Sequence, residues 1–351
     1  MNISGDDSFN HNNSFNLTHP LYKGGLATQI AFAIIVVLCI VGNLLVFIVF
    51  LYARKLRRSS HGILIRNLAV VDFLTGIFTI VSPQHIIREA YTIPPPGISG
   101  KLFCMTIGSE IFTFAFGFIS MYTLCVLSIE RRYGVVKSQL HSIYFSMTRT
   151  KWMVVGVWIW GILLVIMNIF QSHYIIGENP PCKWRPLPGG RELNIIVYFV
   201  LFLFRFVLPM ICIIACYANI WRHTRSTIRD LQQVENKKMI ASYRAKNKVT
   251  ITCAITSLAF IICWLPNVIY FTLANVGVTK IGNDAHFITK LLVIFNSCMN
   301  PFIYACTNSN YRNEFIKMLK DCKCNAKNTR LVGKSKFCDR PNSYFMTSIN
   351  R

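Results

Sequence analysis

Acid is the scarcest ingredient of this chain. Asp and Glu number 14 against 37 Lys and Arg, and the four charged types together make up only 15% of the 351 residues. An ordinary soluble domain carries roughly 25% charge, so little of this surface is built to meet water. The apolar share of 53% excludes disorder for most of the chain. Those apolar residues lack the amphipathic spacing of soluble helices, and they do not alternate over short runs as barrel strands do. No internal repeat is visible, which weakens an inverted-repeat transporter. Residues 1–25 are polar and contain no apolar signal-peptide core, so the first apolar stretch is expected to serve as its own anchor.

Enzyme machinery is missing too. Gly333-Lys334-Ser335 lacks the Walker glycine five residues before Gly333, where Asn328 stands. Cys322-Lys323-Cys324 is too sparse for zinc. Nothing resembles a nucleophile–base–acid set, and the chain reads as a non-enzyme with no catalytic residue and no cofactor apart from a sodium ion considered below.

What is present is a series of seven apolar stretches, at about 26–51, 63–87, 103–130, 152–173, 193–221, 249–273 and 285–306. Each is long enough to cross a hydrocarbon core of about 30 Å as a helix. With the N-terminus outside, the inner loops and tail carry 27 Lys and Arg and the outer segments 7; Arg66, Arg205 and Lys290 lie within stretches. This is a strong positive-inside bias. The net charge of +23 is therefore assigned to a cytoplasmic face beside anionic lipid and partner proteins, and nucleic acid drops out. The sequons at Asn2, Asn12 and Asn16 agree with an extracellular, glycosylated head over residues 1–25. Of 13 cysteines only Cys104 and Cys182 face outward, so an oxidising compartment leaves them each other as disulfide partners.

A polar group inside a bilayer is costly, and each one is a candidate for function. The first stretch has Gly42-Asn43, the second Asp72, and the third Ser120 with Glu130-Arg131 at its inner end. The fifth has Arg205, Pro209 and Tyr217. The sixth reads Phe260-Ile261-Ile262-Cys263-Trp264-Leu265-Pro266, and the seventh reads Asn296-Ser297-Cys298-Met299-Asn300-Pro301-Phe302-Ile303-Tyr304.

Leu68-Ala69 with Asp72, Glu130-Arg131, Cys263-Trp264-Leu265-Pro266 and Asn300-Pro301-Phe302-Ile303-Tyr304 resemble the rhodopsin-like (class A) G-protein-coupled receptors, and most of all their neuropeptide-type members. The resemblance runs from about residue 26 to 322. It implies an all-α seven-transmembrane bundle over 26–306 with a short interfacial eighth helix over 307–324. It further implies a plasma-membrane location, an extracellular ligand, heterotrimeric G proteins as partners, and arrestin and receptor kinases besides. Glu130, Arg131, Pro209, Tyr217, Phe260, Trp264, Pro266, Pro301 and Tyr304 correspond to the activation switch. Asp72, Ser120, Asn296, Ser297 and Asn300 correspond to the family's sodium pocket, all of them oxygen bearers of the kind a hard cation prefers; a protonated Asp72 in a hydrogen-bond network is the alternative.

Three features depart from the family pattern. Arg132 stands where Tyr is usual, and Lys246 stands where some relatives place an acid. No latch between the third and sixth helices is then expected. Only Glu130 restrains Arg131, through a pair near the interface worth ~0–1 kcal/mol, and this predicts raised basal activity. Cys104 precedes Arg131 by 27 residues, about two more than the family norm, so the third helix either starts early or contains a bulge.

The outer half argues about the ligand. Ile294 stands where opsins carry the retinal lysine, and Thr113 where amine receptors carry an aspartate. Glu110 serves only if a bulge turns it inward. Arg205 is expected to meet an acidic or carbonyl group of a ligand, or to pair with Glu110. Lys290 is a second partner for a ligand carboxylate, and Gln84, His85, Asn267, Tyr270 and Phe271 complete a mixed wall suited to a peptide. The alternatives are a receptor for a small non-peptide ligand and, further off, a transporter or channel. Tyr311, Phe315 and Leu319 share one face of the amphipathic eighth helix. Cys322 and Cys324 behind it are palmitoylation candidates, and 325–351 reads as a disordered tail.

Overall fold

A computed structural model of the chain describes residues 26–82, 97–176, 182–185, 187–235, 237–275, 278–279 and 284–330. The sequons and Gln84 and His85 lie outside them. Seven helices are long and apolar enough to cross a membrane. They are α1 (Leu26–Tyr52), α2 (Ser60–Val81), α3 (Ile98–Val136), α4 (Met147–Gln171), α5 (Glu192–Gln233), α6 (Lys237–Asn275) and α7 (Asp284–Thr307). An eighth, α8 (Ser309–Arg330), follows at once, with Asn308 accepting from the Tyr311 N–H at its start. A two-stranded hairpin, β1 (Ser172–Tyr174) with β2 (Cys182–Trp184), covers the outer end, pairing Tyr174 with Cys182.

The outward surface of the bundle is apolar, and polar groups are turned inward among an apolar core. Ile34, Val37, Val41 and Ile48 on α1 and Trp152, Val155, Ile159 and Ile162 on α4 are exposed, while Asn43, Asp72, Ser120 and Asn300 are buried. Lipid rewards this arrangement, because backbone and polar groups in hydrocarbon have to be satisfied within the protein. α3 runs through the centre, packed against α2, α4, α5 and α6.

The helices overrun the apolar stretches on the inner side. α5 continues to Gln233 and α6 begins at Lys237, so most of the basic segment 222–248 is helix rather than loop. No Gly or Pro interrupts it, and Lys, Arg and Gln favour helix once in water. α8 likewise runs to Arg330, past the expected limit of 324 and into the segment read as a tail. Its buried stripe is Tyr311, half-buried Phe315 and Met318, while Leu319 is 44% exposed and turned away from the bundle.

The prolines shape α5 and α7. Pro209 has no N–H for the carbonyl four residues back and its ring crowds that carbonyl, and there α5 opens into a π-helical turn, Leu203–Val207. Tyr122 of α3 donates to the Phe204 carbonyl in that turn at 2.6 Å. Pro301 frees the Ser297 carbonyl in the same way, and Asn43 of α1 takes it at 2.8 Å. Gly42 lets the two helices approach, since a Cβ there would fall 2.8 Å from Pro301 Cγ. The Gly42-Asn43 pair is thus explained by Pro301 two hundred and more residues away.

Cys104 and Cys182 are joined in a disulfide that ties β2 to the outer end of α3. Closing a loop of this length contributes about 2–5 kcal/mol. Cys182→Ala should lower the protein's surface level and, if the expected ligand binds, its binding too; a normal surface level by immunostaining would contradict the role given to the bridge.

Candidate functional site

The middle of the bundle holds a knot of four helices. Asp72 of α2 is fully buried, and its carboxylate accepts from Asn300 Nδ2 of α7 at 2.5 Å and from Ser120 of α3 at 3.3 Å. Ser297 of α7, buried three residues before Asn300, lies beside it. Asn43 of α1 joins through the Ser297 carbonyl, and Cys39 through the backbone oxygen of Asp72 at 3.0 Å. Four of the five expected pocket residues therefore meet. Asn296 is buried on the same helix without a hydrogen bond to Asp72. No Lys, Arg or His pairs with this carboxyl group among the described residues, and its hydrogen-bond partners are neutral donors.

Nearer the outside, α3 contains a bulge, one of the two alternatives its spacing left open. Cys104–Gly108 forms a π-helical turn, and Glu110 follows at φ 55° in the left-handed region before the regular helix resumes at Ile111. A glutamate in that conformation is strained, and such strain persists only where surroundings fix it. Here Lys290 of α7 does so: its Nζ sits 2.9 Å and 3.0 Å from the two Glu110 oxygens, with both residues buried.

This corrects two expectations. One is the pairing of Glu110, which takes Lys290 and not Arg205, and the other is the surroundings of Arg205. Arg205 neither pairs with an acid nor faces lipid. Its guanidinium donates to the Leu164 carbonyl, through Nε at 2.9 Å and through Nη2, and to Asn168 Oδ1 at 3.3 Å. Leu164 lies where α4 is interrupted, so this carbonyl has no helical partner to lose. The guanidinium also sits 5.2 Å over the Phe118 ring. Around these charges, Asn267 donates to Thr289 at 3.2 Å, Tyr270 stacks on His286, and Phe271 meets Tyr198 edge-on. Thr113 is buried on the next turn of α3.

Between outer half and knot lies an aromatic relay. Phe118 contacts Trp264 at 5.7 Å, and Trp264 stacks on Phe260 at 5.2 Å with the planes 6° apart. Gly117 makes room, for a Cβ there would lie 2.0 Å from the indole. Sequence reasoning overlooked Gly117 because a glycine in an apolar helix carries no local signal of its purpose.

At the inner end the weak, exposed pair expected for Glu130 is not what forms. Glu130 is fully buried. Arg131 donates to it through Nε at 2.5 Å and through Nη2, His141 through Nε2 at 2.8 Å, and Ser60 at 3.0 Å; His61 Nδ1 lies 4.0 Å away. Ser60 and His61 were missed because their partner is seventy positions distant. Arg132 bonds Asn219 of α5 at 3.3 Å. The Tyr217 and Tyr304 hydroxyls are buried without a hydrogen bond, and so is the Trp264 indole N–H. Pro266 and Pro301 lie inside their helices, and Pro209 accepts a bond from Cys125. The side chains of Lys246, Cys322 and Cys324 are outside those described.

Two substitutions probe this core. Asn43→Ala orphans the Ser297 carbonyl at a cost of ~1–3 kcal/mol, and Gly117→Ala overpacks Trp264 at ~1–3 kcal/mol. Both should lower the unfolding midpoint of the purified protein; an unchanged midpoint for either would mean that the contact is not the one described.

The family model for the 7 transmembrane receptor (rhodopsin family) matches residues 42–304. Neuropeptide receptor 22 of Caenorhabditis elegans is 26% identical over 297 residues, covering 81% of this chain and 67% of its own. Human galanin receptor type 1 is 27% identical over 313 residues, covering 86% and 84%. Human C-C chemokine receptor type 6 is 25% identical over 322 residues, covering 85% and 78%. With the family model spanning all seven helices, the chain belongs to the rhodopsin family and is a class A G-protein-coupled receptor.

Proposed function

We propose that this receptor sits in the plasma membrane with its N-terminus outside, binds an extracellular peptide, and passes the signal to heterotrimeric G proteins, with arrestin and receptor kinases acting on its inner face. The observation that carries the peptide reading is the outer half itself, where the Glu110–Lys290 pair, Arg205 and an aromatic wall offer charges of both signs. A peptide supplies ammonium, carboxylate and amide groups together, whereas a simple amine answers only one. Relatives named for neuropeptides and galanin support the same reading.

The mechanism follows from which bonds a ligand can alter. A ligand group competing for Glu110, Lys290 or Arg205 would shift α3, α5 and α7 where they are irregular, and the Phe118–Trp264–Phe260 stack carries that shift toward Pro266. The inner half of α6 then swings about its proline, opening the ground beside Arg131. Release from Glu130 frees the guanidinium for carbonyls of the G protein, and the unpaired Tyr217 and Tyr304 hydroxyls are acceptors and donors for the rearranged state. Expression with a promiscuous Gα and a screen of peptide and amine libraries tests the ligand class. Peptide agonists are expected; responses confined to amines would overturn the reading.

Glu130 and Arg131 give the sharpest test of coupling. Breaking a buried pair costs more than an exposed one, about 3–5 kcal/mol, so Glu130→Gln should raise ligand-independent nucleotide exchange well above wild type. Arg131→Ala should abolish exchange with surface binding intact, since it lies at the far end from the ligand. Full signalling by Arg131→Ala at matched surface expression would remove the helix-3 motif from the mechanism.

A sodium ion is the natural counter-charge for Asp72. Its carboxylate, with the oxygens of Ser120, Ser297 and Asn300, would hold the ion, and Asn296 would line the approach. The ion supplies a positive charge that favours the inactive packing, so by linkage it weakens any agonist that prefers the active state. Agonist affinity is expected to rise when sodium is replaced by a large organic cation, and Asp72→Asn to abolish the difference. Equal sodium sensitivity in wild type and Asp72→Asn would rule the ion out of this pocket.

A further inference from the structure

A cavity of about 550 Å³ lies on the inner side between α6 and the junction of α7 with α8. Lys237, Arg244 and Lys248 line one wall, and Thr307, Ser309 and Asn310 the other. Spacings of seven and eleven residues bring the three cations onto one face of α6. All three are exposed, no acidic residue lines the cavity among those described, and none of the three side chains has an ion pair or hydrogen bond there. Three like charges gathered without a counter-ion repel one another, and such a cluster calls for an anion from outside the chain. Depth narrows the choice. The apolar run of α6 begins at Val249, next to Lys248, and α8 turns the exposed apolar residues Ile316 and Leu319 outward at the same level. The start of the apolar run beside Lys248 puts the cavity at the level expected for lipid headgroups, with Arg244 and Lys237 reaching about 6 and 16 Å further along a helix rising 1.5 Å per residue.

We propose that this cavity binds a group carrying two or more clustered phosphates, the headgroup of an inner-leaflet phosphoinositide, and that the occupied cavity bridges α6 to α8. A single phosphate or carboxylate would engage one cation at a time; phosphates spread over a ring reach all three, while the hydroxyls and amide of the opposite wall donate to the remaining oxygens. The proposal rests on the inner placement of this face but on no particular agonist or G protein.

The test uses the purified full-length receptor in phosphatidylcholine nanodiscs with a fluorescent short-chain phosphatidylinositol bisphosphate as probe. Neutralising the cavity (K237Q/R244Q/K248Q) should weaken probe binding about tenfold or more, given roughly 1 kcal/mol for each basic residue at an anionic surface. The charge-preserving K237R/R244K/K248R should bind as wild type, which guards against a merely misfolded variant. The same number of neutralisations on the first inner loop, R54Q/K55Q/R57Q, should change binding less than about twofold. Phosphatidylserine at equal total charge should not displace the probe. Soluble inositol trisphosphate separates the sources: displacement at comparable concentration assigns the site to a free inositol phosphate, and failure to displace assigns it to the lipid. Equal weakening by both neutralised variants, displacement by phosphatidylserine, or no binding by wild type would overturn the proposal. If the neutralised variant instead binds the probe normally and loses G-protein exchange in lipid-free detergent, the cations belong to the protein partner and the proposal fails while the receptor reading stands.

Discussion

The polar groups in the middle of this bundle are buried among apolar side chains, where an unpaired polar atom is costly, so partners on neighbouring helices are strongly favoured. That single constraint organises the structure. Pro301 frees a carbonyl, Asn43 takes it, Gly42 admits the ring, and Asn300 beside the proline reaches Asp72, which also holds Ser120. Four helices are fastened by groups that could not be left unpaired in lipid at tolerable cost. The same rule explains why Tyr122 answers the π-helical turn of α5 and why Arg205 is anchored at the interruption of α4.

The bundle is therefore tight where its polar groups are satisfied and poised where they are not. The satisfied places are the knot at Asp72 and the cradle of Ser60, His141 and Arg131 around Glu130. Among the unsatisfied ones are the Trp264 indole in the aromatic relay and the hydroxyls of Tyr217 and Tyr304 nearer Arg131, besides single atoms of Asn43, His61, Ser82 and Thr224 elsewhere. A buried donor without a partner costs about 1–3 kcal/mol, and a second packing that satisfies these groups recovers that cost. Two arrangements of similar free energy are what a ligand needs in order to switch between them.

Much of this was legible in the sequence, for physical reasons that can be named. Seven apolar stretches and the basic bias between them follow from hydrocarbon thickness and lipid charge, and both act on local sequence. The lone outer cysteine pair and the prolines also announce themselves locally. The bulge in α3 was legible as a count of 27 residues between Cys104 and Arg131, though not its form, a π-helical turn with a left-handed Glu110. What could not be read were the long-range pairings. Glu110 was offered to Arg205 and went to Lys290, and Glu130 was taken for an exposed partner although Ser60 and His141 bury it. Which apolar residues of α8 lie against the bundle was not legible either, because where α8 lies against α1 is set by packing and not by its own periodicity.

The central claim is that the buried set of bonds around Glu130 holds the inner ends of the helices closed. A pair of spin labels on exposed positions, one at Lys137 below α3 and one at Lys238 at the start of α6, measures that opening directly. Without ligand, Glu130→Gln should move a substantial part of the distance distribution to longer values, toward the profile an agonist produces in the parent receptor. A distribution unchanged by Glu130→Gln would contradict the account, because the restraint on α6 would then lie elsewhere.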